Sequence, residues 1–344
     1  MAIKEHVYFI AYAWNHKNGR KAVMETVDVI IPTYRPTKRL FRILERLHAQ
    51  TYPIQRIILI NTEESYFEQL VYGTSVEHAF DLDRLFENVE LRHIRKEEFD
   101  HGGTRRLGVA LSDADLFVCM TDDAVPADTH LIGELVSGLS GGGVAVCYAR
   151  QLARKNSSET ERFVRQFNYP EEPCVKFEKD RERLGIKTYF CSNVCAAYRR
   201  DVYEELGGFV EHTIFNEDMI YAAGAVKKGY GIAYRPSARV YHSHHYTGRQ
   251  QFRRNFDLGV SQAKHPEVFS GLKSEGEGVR MVKQTAVHLF RTGKKEQIPG
   301  LIVESACKYA GYRVGRNYAL LPKKMIFACT GNREFWKQEF GESS

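Results

Sequence analysis

The chain has 344 residues, of which 43% are hydrophobic and 27% charged, so it is large enough for one α/β domain with an appended region. The formal net charge of +6 suits an anionic substrate or membrane surface, but it does not indicate a nucleic-acid-binding surface, and no nucleic acid is expected as a partner. No apolar run approaches the roughly 18 residues that a membrane-spanning helix needs.

Residues 1–26 are predicted to be an N-terminal extension. Their apolar segment, 7–14, is short and is followed at once by polar and basic residues, so we do not expect a signal peptide. The seven cysteines are scattered and odd in number, which favours reduced side chains in a core, and Cys191 and Cys195 lack the second pair of a structural zinc site. We therefore expect a cytoplasmic protein, with peripheral membrane contact left open.

The first predicted strand is at 27–31, where an apolar run ends at Pro32. Apolar residues at helical spacing follow between 40 and 47, with Thr37 as the N-cap, and predict a helix that ends near residue 50. The next apolar run, 56–60, is the second predicted strand. Together these elements make a βαβ unit with a parallel strand pair.

The same alternation continues with strands at 89–94, 116–120 and 144–148 and helices near 66–72, 102–111 and 128–139. Strands that alternate with helices predict an α/β fold with a doubly wound, mostly parallel sheet, and this half of the chain is expected to bind a nucleotide.

The second half of the pattern is less regular. Residues 151–187 lack clear periodicity and are predicted to form a long functional or mobile loop. From residue 247 onward the chain reads as mostly helical and basic, and we expect this region to pack on the preceding domain. Between residues 187 and 247 we predict helices at 200–206 and 217–228 and strands at 231–234 and 238–242.

Two adjacent carboxylates, Asp122 and Asp123, follow the apolar strand at 116–120. The C-terminal ends of strands in open α/β sheets are where such folds bind ligands. Two neighbouring acids in a cleft of low dielectric are not both stable as unpaired anions, so a divalent cation would satisfy them. A strand-end turn with two solvated aspartates is the alternative.

A second acidic cluster, Asn216, Glu217 and Asp218, stands at a predicted helix start, where the helix dipole and free amides stabilise carboxylates. A carboxylate held there can accept a proton from an incoming hydroxyl, as a general base must. The alternative is an ordinary helix N-cap.

Three histidines, His242, His244 and His245, stand at the end of the last predicted strand. A period of two puts His242 and His244 on one face, so at most two imidazoles reach a single site. One of them could join Asp123 in holding a cation or donate to a diphosphate. Ordinary surface or core histidines are the alternative.

Two glycines and two arginines, Gly102, Gly103, Arg105 and Arg106, stand at another helix start, which is a ready anion site. At most one of the arginines is expected to reach a phosphate, because the two point in different directions on a helix.

The order and spacing of these segments resemble family 2 glycosyltransferases of the GT-A fold, specifically their bacterial rhamnosyltransferase branch, over nearly the whole chain after residue 26. The resemblance implies a GT-A domain at 27–248, with a nucleotide-binding half at 27–125 and an acceptor and catalytic half at 126–248, and a helical C-terminal region at 249–344. The segments that carry it are 27–34 (VDVIIPTY), 101–105 (HGGTR), 121–124 (TDDA), 203–209 (YEELGGF), 216–218 (NED), 240–244 (VYHSH), 250–254 (QQFRR), 311–315 (GYRVG) and 321–322 (LP).

The resemblance also implies roles for individual residues. Asp218 is expected to be the catalytic base and Glu217 its supporting acid. Asp123 is expected to bind a divalent metal, Mn or Mg, with His242 or His244 helping to hold the metal or the diphosphate. The residues expected to bind the donor are Pro32, Thr33, Tyr34, Arg35, Glu63, Gly103, Arg105 and Asp122.

Two departures from the family pattern affect these expectations. The family usually has a base-reading aspartate after the second strand, whereas this chain has Asn61, Thr62 and Glu63, and we take Glu63 as the substitute. Ala124 stands where a further acid would complete the usual metal motif, so one carboxylate rather than two is expected to bind the cation.

The implied reaction is an inverting, single-step transfer of rhamnose from dTDP-rhamnose to a lipid-linked glycan in the synthesis of cell-surface polysaccharide. The basic and aromatic residues at 323–327 and 335–336 are expected to contact the inner leaflet of the plasma membrane, and a homodimer is left open. The alternatives are a UDP-hexose-dependent transferase and a nucleotide-sugar-binding module without catalysis. A nucleotidyltransferase is disfavoured because the loop at 32–36 lacks glycines.

Overall fold

The computed structural model describes residues 24–72, 81–244, 246–271 and 275–341, so most of the predicted N-terminal extension lies outside the described residues. Within this part of the chain, nine strands form one sheet. The strands are β1 Val27–Tyr34, β2 Arg56–Thr62, β3 Val89–Ile94, β4 Leu116–Met120, β5 Val125–Pro126, β6 Val144–Leu152, β7 Cys174–Lys176, β8 Cys195–Arg199 and β9 Gly231–Tyr241.

Helices cover the sheet and form most of the chain after β9. None of the described helices combines the length and apolar character needed to cross a membrane. Short 3₁₀ turns occur at Lys96–Glu98, Glu178–Asp180, Gly185–Tyr189, Lys295–Gln297 and Tyr318–Leu320. The α-helices are α1 Lys38–His48, α2 Glu64–Val71, α3 Leu82–Leu85, α4 His101–Leu111, α5 Leu131–Leu139, α6 Glu159–Asn168, α7 Arg181–Leu184, α8 Arg200–Glu205, α9 Glu217–Lys227, α10 Gly248–Lys264, α11 Pro266–Phe269, α12 Glu275–Arg291, α13 Ile298–Arg316, α14 Lys323–Cys329 and α15 Arg333–Glu339.

The order of strands across the sheet is β3-β2-β1-β4-β8-β6-β9-β5, and β7 pairs with β9. β1 is parallel to β2 and β4, and β6 is parallel to β9, whereas β8 runs antiparallel to both β4 and β6. The doubly wound α/β fold predicted from the sequence is confirmed, with an antiparallel strand inserted in the middle of the sheet. The C-terminal ends of β1, β2, β4, β6 and β9 therefore share one edge with the N-terminal end of β8.

The central strands are buried on both faces because helices cover both sides of the sheet. Every residue of β4 is buried. In β1, Val29 and Ile31 join the hydrophobic cluster beneath α1 and α5, whereas Ile30 joins the cluster beneath α4, α8 and α9. Thr37 caps α1 as predicted, because its hydroxyl accepts a hydrogen bond from the amide of Arg39. Burial on both faces explains why these strands read as continuous apolar runs in the sequence.

The structure differs most from the sequence prediction in residues 151–187. The sequence predicts a loop here, but the segment contains α6 and β7. The pattern is weak because α6 holds no fully buried residue and β7 is only three residues long. The two strands predicted at 231–234 and 238–242 are likewise one strand, β9, and its register with β6 shifts after Ala149.

The C-terminal helices pack closely on one another and on the α/β domain. A Cβ on Gly311 would lie 2.2 Å from the carbonyl oxygen of Phe252, and one on Gly315 would lie 2.1 Å from that of Phe256. Glycine at these positions therefore lets the backbone of α13 touch the backbone of α10.

Phe335 and Trp336 of α15 are 3% and 1% exposed, which contradicts their expected contact with a membrane. They pack instead against α10 and α14, in a cluster with Phe256 and Ile326. These aromatic residues of the C-terminal region therefore belong to a hydrophobic core and not to an exposed surface.

Gly315→Ala is expected to destabilise the fold by about 1 to 3 kcal/mol, because the added methyl group must push two helix backbones apart. The free energy of unfolding in urea measures this change. Gly300→Ala is the matched control on the same helix: nothing lies within 4 Å of its Cβ position, and alanine favours a helix over glycine, so no loss is expected. Equal stability of the two variants would contradict the close contact.

Candidate active site

Asp123, His242 and His244 form one cluster at the edge of the sheet, where β4 and β9 end. His242 Nε2 lies 3.4 Å from Asp123 Oδ1, and His244 Nε2 lies 3.1 Å from Asp123 Oδ2. The Nε2 atoms of the two histidines are 2.7 Å apart. One ligand atom from each of the three residues lies within 4.8 Å of the others. Both histidines thus face Asp123, and the structure brings together the three residues predicted to bind a metal.

Gln151, near the end of β6, sets the orientation of His242. Its Oε1 accepts a hydrogen bond from Arg165 and lies 2.9 Å from His242 Nδ1. Because this oxygen is an acceptor, Nδ1 carries the proton of the neutral ring and Nε2 turns its lone pair toward Asp123. A carboxylate oxygen and two imidazole nitrogens that converge in this way form a donor set that fits a divalent cation.

The protonation states of the cluster suit metal binding. Burial alone would raise the pKa of Asp123, but the two histidines and a 2.7 Å hydrogen bond from the Thr121 hydroxyl outweigh burial and hold that pKa below its usual range. Burial lowers the pKa of His244 to about 4 and also lowers the pKa of His242. An ionised carboxylate beside two neutral imidazoles is the form in which these side chains bind metals.

Asp122 has a different environment from Asp123. Burial and the neighbouring charge of Asp123 raise the pKa of Asp122 to about 6, although the backbone amide of Tyr34 and the positive charge of Arg39 act in the opposite direction. The carboxylate of Asp122 therefore contacts the end of β1, through the amide of Tyr34, and lies within electrostatic range of Arg39 in α1.

The second acidic cluster begins α9 from a strained position. Asn216, which precedes the helix, has a φ of 66°, in the left-handed region that few residues other than glycine adopt. Its side chain donates a 3.1 Å hydrogen bond to Ser261 Oγ of α10, and this hydroxyl donates in turn to the carbonyl of Phe215. The helix α10 thus fixes the turn that delivers the two acids.

Glu217 is buried in a network of ionic and polar contacts. It is 5% exposed and lies 3.0 Å from the guanidinium of Arg105, which is 6% exposed. The side-chain amide of Asn193 donates a second 3.0 Å hydrogen bond to Glu217, while Tyr198 donates to the other end of the same amide. Burial acts to raise the pKa of Glu217, but the charge of Arg105, together with His101 and the hydrogen bond from Asn193, outweighs burial and lowers that pKa.

Asp218 is held by two backbone amides. Its Oδ2 accepts a 3.0 Å hydrogen bond from the amide of Asn193, and its Oδ1 accepts one of 2.7 Å from the amide of Met219. Burial and the negative charge of Glu217 nevertheless raise the pKa of Asp218 well above its usual range. The two neighbouring acids therefore differ: Glu217 stays ionised, and Asp218 exchanges a proton more readily.

Three consecutive residues, which we call the 192–194 loop, connect the parts of the site just before β8. Ser192 Oγ accepts a 3.0 Å hydrogen bond from Gln151, the residue that orients His242. Asn193 holds both acids of α9. The carbonyl of Val194 accepts a 3.2 Å hydrogen bond from the amide of Thr121, two residues before Asp123. The clusters predicted from separate stretches of sequence therefore belong to one site.

The residues predicted to bind a nucleotide lie at the end of β1. Tyr34 is 41% exposed and meets Tyr66 edge to face, with ring centres 5.8 Å apart. Arg35, with a φ of 51°, lies over both rings and donates a 2.7 Å hydrogen bond to the Tyr66 hydroxyl. Pro32 and Thr33 precede them in the strand, and Thr33 is buried.

The segment after β2 is built around a buried amide. Asn61 Oδ1 accepts a 3.0 Å hydrogen bond from Thr33, and Asn61 Nδ2 lies 2.9 Å from His93 Nδ1 and donates to the carbonyl of Glu63. The Glu63 carboxylate, predicted to read the base, accepts a 2.7 Å hydrogen bond from the amide of Lys96. Glu63 thus ties β2 to the segment after β3, at the same edge as Tyr34.

The start of α4, predicted as an anion site, is capped by the chain itself. Asp100 Oδ1 accepts a 2.6 Å hydrogen bond from the amide of Gly103, and Asp100 Oδ2 accepts one from the amide of Thr213. Arg105 lies inside the fold beside Glu217, and Arg106 donates to the carbonyls of residues 207 and 209. The structure therefore gives Gly103 and Arg105 partners within the protein.

Sequence reasoning missed Gln151, Ser192 and Asn193. Gln151 follows the apolar run of β6, and the other two form a polar pair inside the apolar stretch 189–198. That interruption is a usable signal, because buried polar residues are retained where they have partners. Their partners are distant in sequence, so the pattern alone does not identify them.

Arg105→Met is expected to lower the free energy of unfolding by about 3 kcal/mol, because it leaves the Glu217 carboxylate buried without its cation. Urea unfolding measures the loss, and the added change Glu217→Gln should recover most of it by removing the buried charge. Arg181→Met is the control, since it breaks an exposed pair with Glu178 and should cost less than about 0.5 kcal/mol. No recovery in the double variant would contradict a charge-driven effect.

Comparisons with known proteins identify the family of the chain. Residues 28–207 match the family described as Glycosyl transferase family 2. The chain is 37% identical over 314 residues to the O-antigen chain rhamnosyltransferase RfbN of Salmonella typhimurium, a match that covers 90% of this chain and 96% of the relative. It is 34% identical over 318 residues to the O-antigen chain rhamnosyltransferase WbaN of Salmonella anatum, covering 91% and 96% of the two chains.

A solved structure, the mannosyltransferase PcManGT from Pyrobaculum calidifontis in complex with GDP-Man and Mn2+, aligns with 99% of this chain and 95% of its own at 16% identity and a TM-score of 0.48. The family match covers more than half of the chain, and the two Salmonella relatives match it almost from end to end. As its motifs predict, the chain belongs to glycosyl transferase family 2 and is a glycosyltransferase.

Proposed function

We propose that this enzyme catalyses the inverting transfer of rhamnose from dTDP-rhamnose to a hydroxyl of a lipid-linked glycan in the synthesis of a cell-surface polysaccharide. The support is that both curated relatives bear the name O-antigen chain rhamnosyltransferase and match over nearly their whole length. Residues 27–248 would form the catalytic domain, with the helical region 249–344 packed on it. A UDP-hexose donor is the alternative.

The observation that carries the proposal is the environment of Asp218. A general base needs a fixed carboxylate whose pKa lies nearer to neutrality than that of a solvated aspartate. Two backbone amides fix Asp218, and burial beside ionised Glu217 raises its pKa. In the proposed reaction Asp218 takes the proton from the acceptor hydroxyl as that oxygen attacks the sugar. The displacement is a single step and needs no nucleophile from the enzyme.

We infer that Asp123, His242 and His244 hold a divalent cation. Such a cation, when bound, neutralises the charge of the departing nucleoside diphosphate. Two imidazole ligands favour Mn²⁺ over Mg²⁺, because Mg²⁺ prefers oxygen ligands. Gln151 would keep His242 in the tautomer that presents Nε2 to the cation.

The donor nucleotide would lie along the ends of β1 and β2. Tyr34 presents an exposed ring there, Arg35 adds a positive charge, and Asp122 faces the amide of Tyr34. Pro32, Thr33 and Glu63 would line the same pocket. Gly103 and Arg105 stay predictions as donor contacts, and the buried pair with Glu217 supports a positioning role for Arg105.

A membrane contact fits a surface that we call the α12–α13 surface. It consists of exposed apolar side chains on two helices that pack against each other. On α12 these are Val279, Val287 and Phe290, and on α13 they are Ile302, Val303 and Tyr309, all between 50% and 61% exposed.

The charge around this surface favours anionic lipids as the partner. Residues 275–329 contain ten lysines and arginines and four acidic residues, a net charge of +6 that equals the net charge of the whole chain. Apolar side chains flanked by cations bind the interface of an anionic bilayer. We propose that this surface holds the enzyme at the inner face of the plasma membrane, where a lipid-linked acceptor is present.

Asp218→Asn is expected to reduce transfer at least about 100-fold while leaving donor affinity within about twofold, because the variant keeps the shape of the site but loses the proton acceptor. Release of dTDP with an acceptor extract measures turnover, and calorimetry measures donor binding. Asp201→Asn, an exposed acid on α8, is the control. Turnover that persists in Asp218→Asn would overturn the assignment of Asp218 as the base. If the unaltered enzyme binds the nucleotide but shows no turnover, a nucleotide-sugar-binding module without catalysis is favoured instead.

Asp123→Ala is expected to weaken dTDP binding in the presence of Mn²⁺ at least about tenfold, because it removes the charged ligand of the cluster. Thermal unfolding with dTDP, with and without Mn²⁺, gives the shift in melting temperature for each protein. Asp83→Ala, an exposed acid on α3, should bind like the unaltered enzyme. If dTDP raises the melting temperature of the unaltered enzyme equally in EDTA and in Mn²⁺, metal-dependent binding is ruled out.

The double change Val287→Asp with Phe290→Asp is expected to lower partitioning onto phosphatidylglycerol vesicles at least about tenfold, because it removes apolar burial and adds negative charge. Flotation in a density gradient measures partitioning, and Tyr72→Asp, which is exposed on another element, is the control. Flotation that is unchanged in the double variant would refute the α12–α13 surface as the membrane contact. A dimer in solution that the double variant dissolves would assign the surface to a second copy instead.

A further inference from the structure

A cavity of about 420 Å³ lies beside the active site, between the end of β6 and the helix α6. Its lining is rich in positive charge: four arginines and one lysine border it, together with Gln151 and Tyr169. The volume is in the range of pockets that bind small ligands. The cationic residues are Arg150, Arg154, Lys155, Arg162 and Arg165.

Most of this charge is not balanced by the protein. Arg150 pairs with Glu171 at 3.2 Å, and Arg162 has a distant partner in Glu159 at 3.8 Å. Within the described ranges, no carboxylate forms an ion pair with Arg154, Lys155 or Arg165. A partly buried cluster of unpaired cations is costly unless a ligand supplies the negative charge.

Arg154 is the clearest case. Among the described residues no carboxylate pairs with its guanidinium, which donates a 3.3 Å hydrogen bond to the carbonyl of Asp123. Its remaining donors are available to a bound anion.

The cavity adjoins the reaction centre on the side of the catalytic base. Gln151 lines it and also orients His242. Tyr169 lies on the same wall. Its phenol hydrogen-bonds with Ser192 and lies within electrostatic range of Asp218. A group bound in the cavity would therefore belong to a molecule whose other end reaches Asp218.

The predicted nucleotide site lies on the other side of β4. In the strand order, β1 and β2 lie on one side of β4, whereas β6 lies two strands away on the opposite side. Two strand spacings are about 10 Å. The cavity at the end of β6 is thus separated from the ends of β1 and β2, where the donor nucleoside would lie. Because Arg154 also contacts Asp123, the donor diphosphate is the competing occupant, and the dTDP titration below distinguishes it from the acceptor.

We propose that this cavity binds the phosphate or diphosphate group through which the acceptor glycan is joined to its lipid. Arginine forks match phosphate oxygens, and Arg154 and Arg165 would donate charge-assisted hydrogen bonds to them. The inference rests on the proposed function, which it deepens by naming the charged part of the acceptor.

The position of α6 gives the lipid a route to the surface. This helix lines the cavity with Arg162 and Arg165 and also packs on α12, where Phe163 stacks on His288 at 4.4 Å between ring centres. The helix α12 in turn carries the exposed apolar residues of the α12–α13 surface. A phosphate in the cavity and a hydrocarbon chain on that surface would thus be neighbours.

Calorimetry with inorganic pyrophosphate, on the full chain in EDTA, tests the cavity without a metal-bound anion at Asp123. We expect the unaltered enzyme to bind pyrophosphate and farnesyl diphosphate to displace it. Arg154→Gln and Arg165→Gln should each weaken pyrophosphate binding about tenfold, the effect of one charge-assisted hydrogen bond. Arg183→Gln, an exposed arginine paired with Asp180 outside the cavity, should bind as the unaltered enzyme does.

A second titration, of dTDP with Mn²⁺, separates the acceptor from the donor as the source of the phosphate. We expect dTDP affinity within about twofold of the unaltered enzyme for a third cavity variant, Arg162→Gln, which should also weaken pyrophosphate binding. Arg162 lines the cavity but contacts Lys155 and Glu159 and not the metal cluster. A parallel loss of dTDP affinity would assign the cavity to the donor diphosphate and overturn the proposal. Absence of pyrophosphate binding, or failure of farnesyl diphosphate to displace it, would also overturn it. After any of these outcomes, dTDP binding and sugar transfer by the unaltered enzyme would still support the proposed function.

Discussion

A short polar segment, the 192–194 loop, fixes the two halves of the active site relative to each other. Its backbone amide holds Asp218, its carbonyl accepts from the segment that carries Asp123, and its serine contacts the glutamine that orients His242. Because β8 runs antiparallel to its neighbours, its N-terminal end meets the C-terminal ends of β4 and β6 at this edge. Reversal of one strand thus creates the site, since a parallel strand would present its opposite end here.

Much of this architecture is predictable from the sequence because it depends on local patterns. The strands at 89–94 and 116–120 occur where they are predicted, the second of them at an apolar run, and Thr37 caps α1 as its residue type suggests. The period of two that places His242 and His244 on one face also holds, since both imidazoles meet Asp123. Residues at strand ends are favourable cases, because the end of an apolar run is visible without knowledge of the fold.

The parts that the sequence did not predict depend on distant contacts. The buried pair of Arg105 with Glu217, 112 positions later in the chain, is one of them, because neither residue reveals the other in the sequence. Gln151 and Asn193 act through partners on other strands, and α6 lacks the buried stripe that would mark it as a helix. Phe335 and Trp336 resemble membrane anchors by composition alone, and only tertiary packing reveals them as core residues.

The contact between α6 and α12 joins the interior of the enzyme to its periphery. The stacked rings of Phe163 and His288 are accompanied by a 2.7 Å hydrogen bond between His288 Nε2 and the Glu159 carboxylate, so two separate side-chain contacts hold α6 against α12. The helix α12 therefore touches the same helix that carries Arg162 and Arg165 of the cavity. Under the proposed membrane contact, binding of α12 to a bilayer would act on the wall of the proposed acceptor site through this pair of side chains.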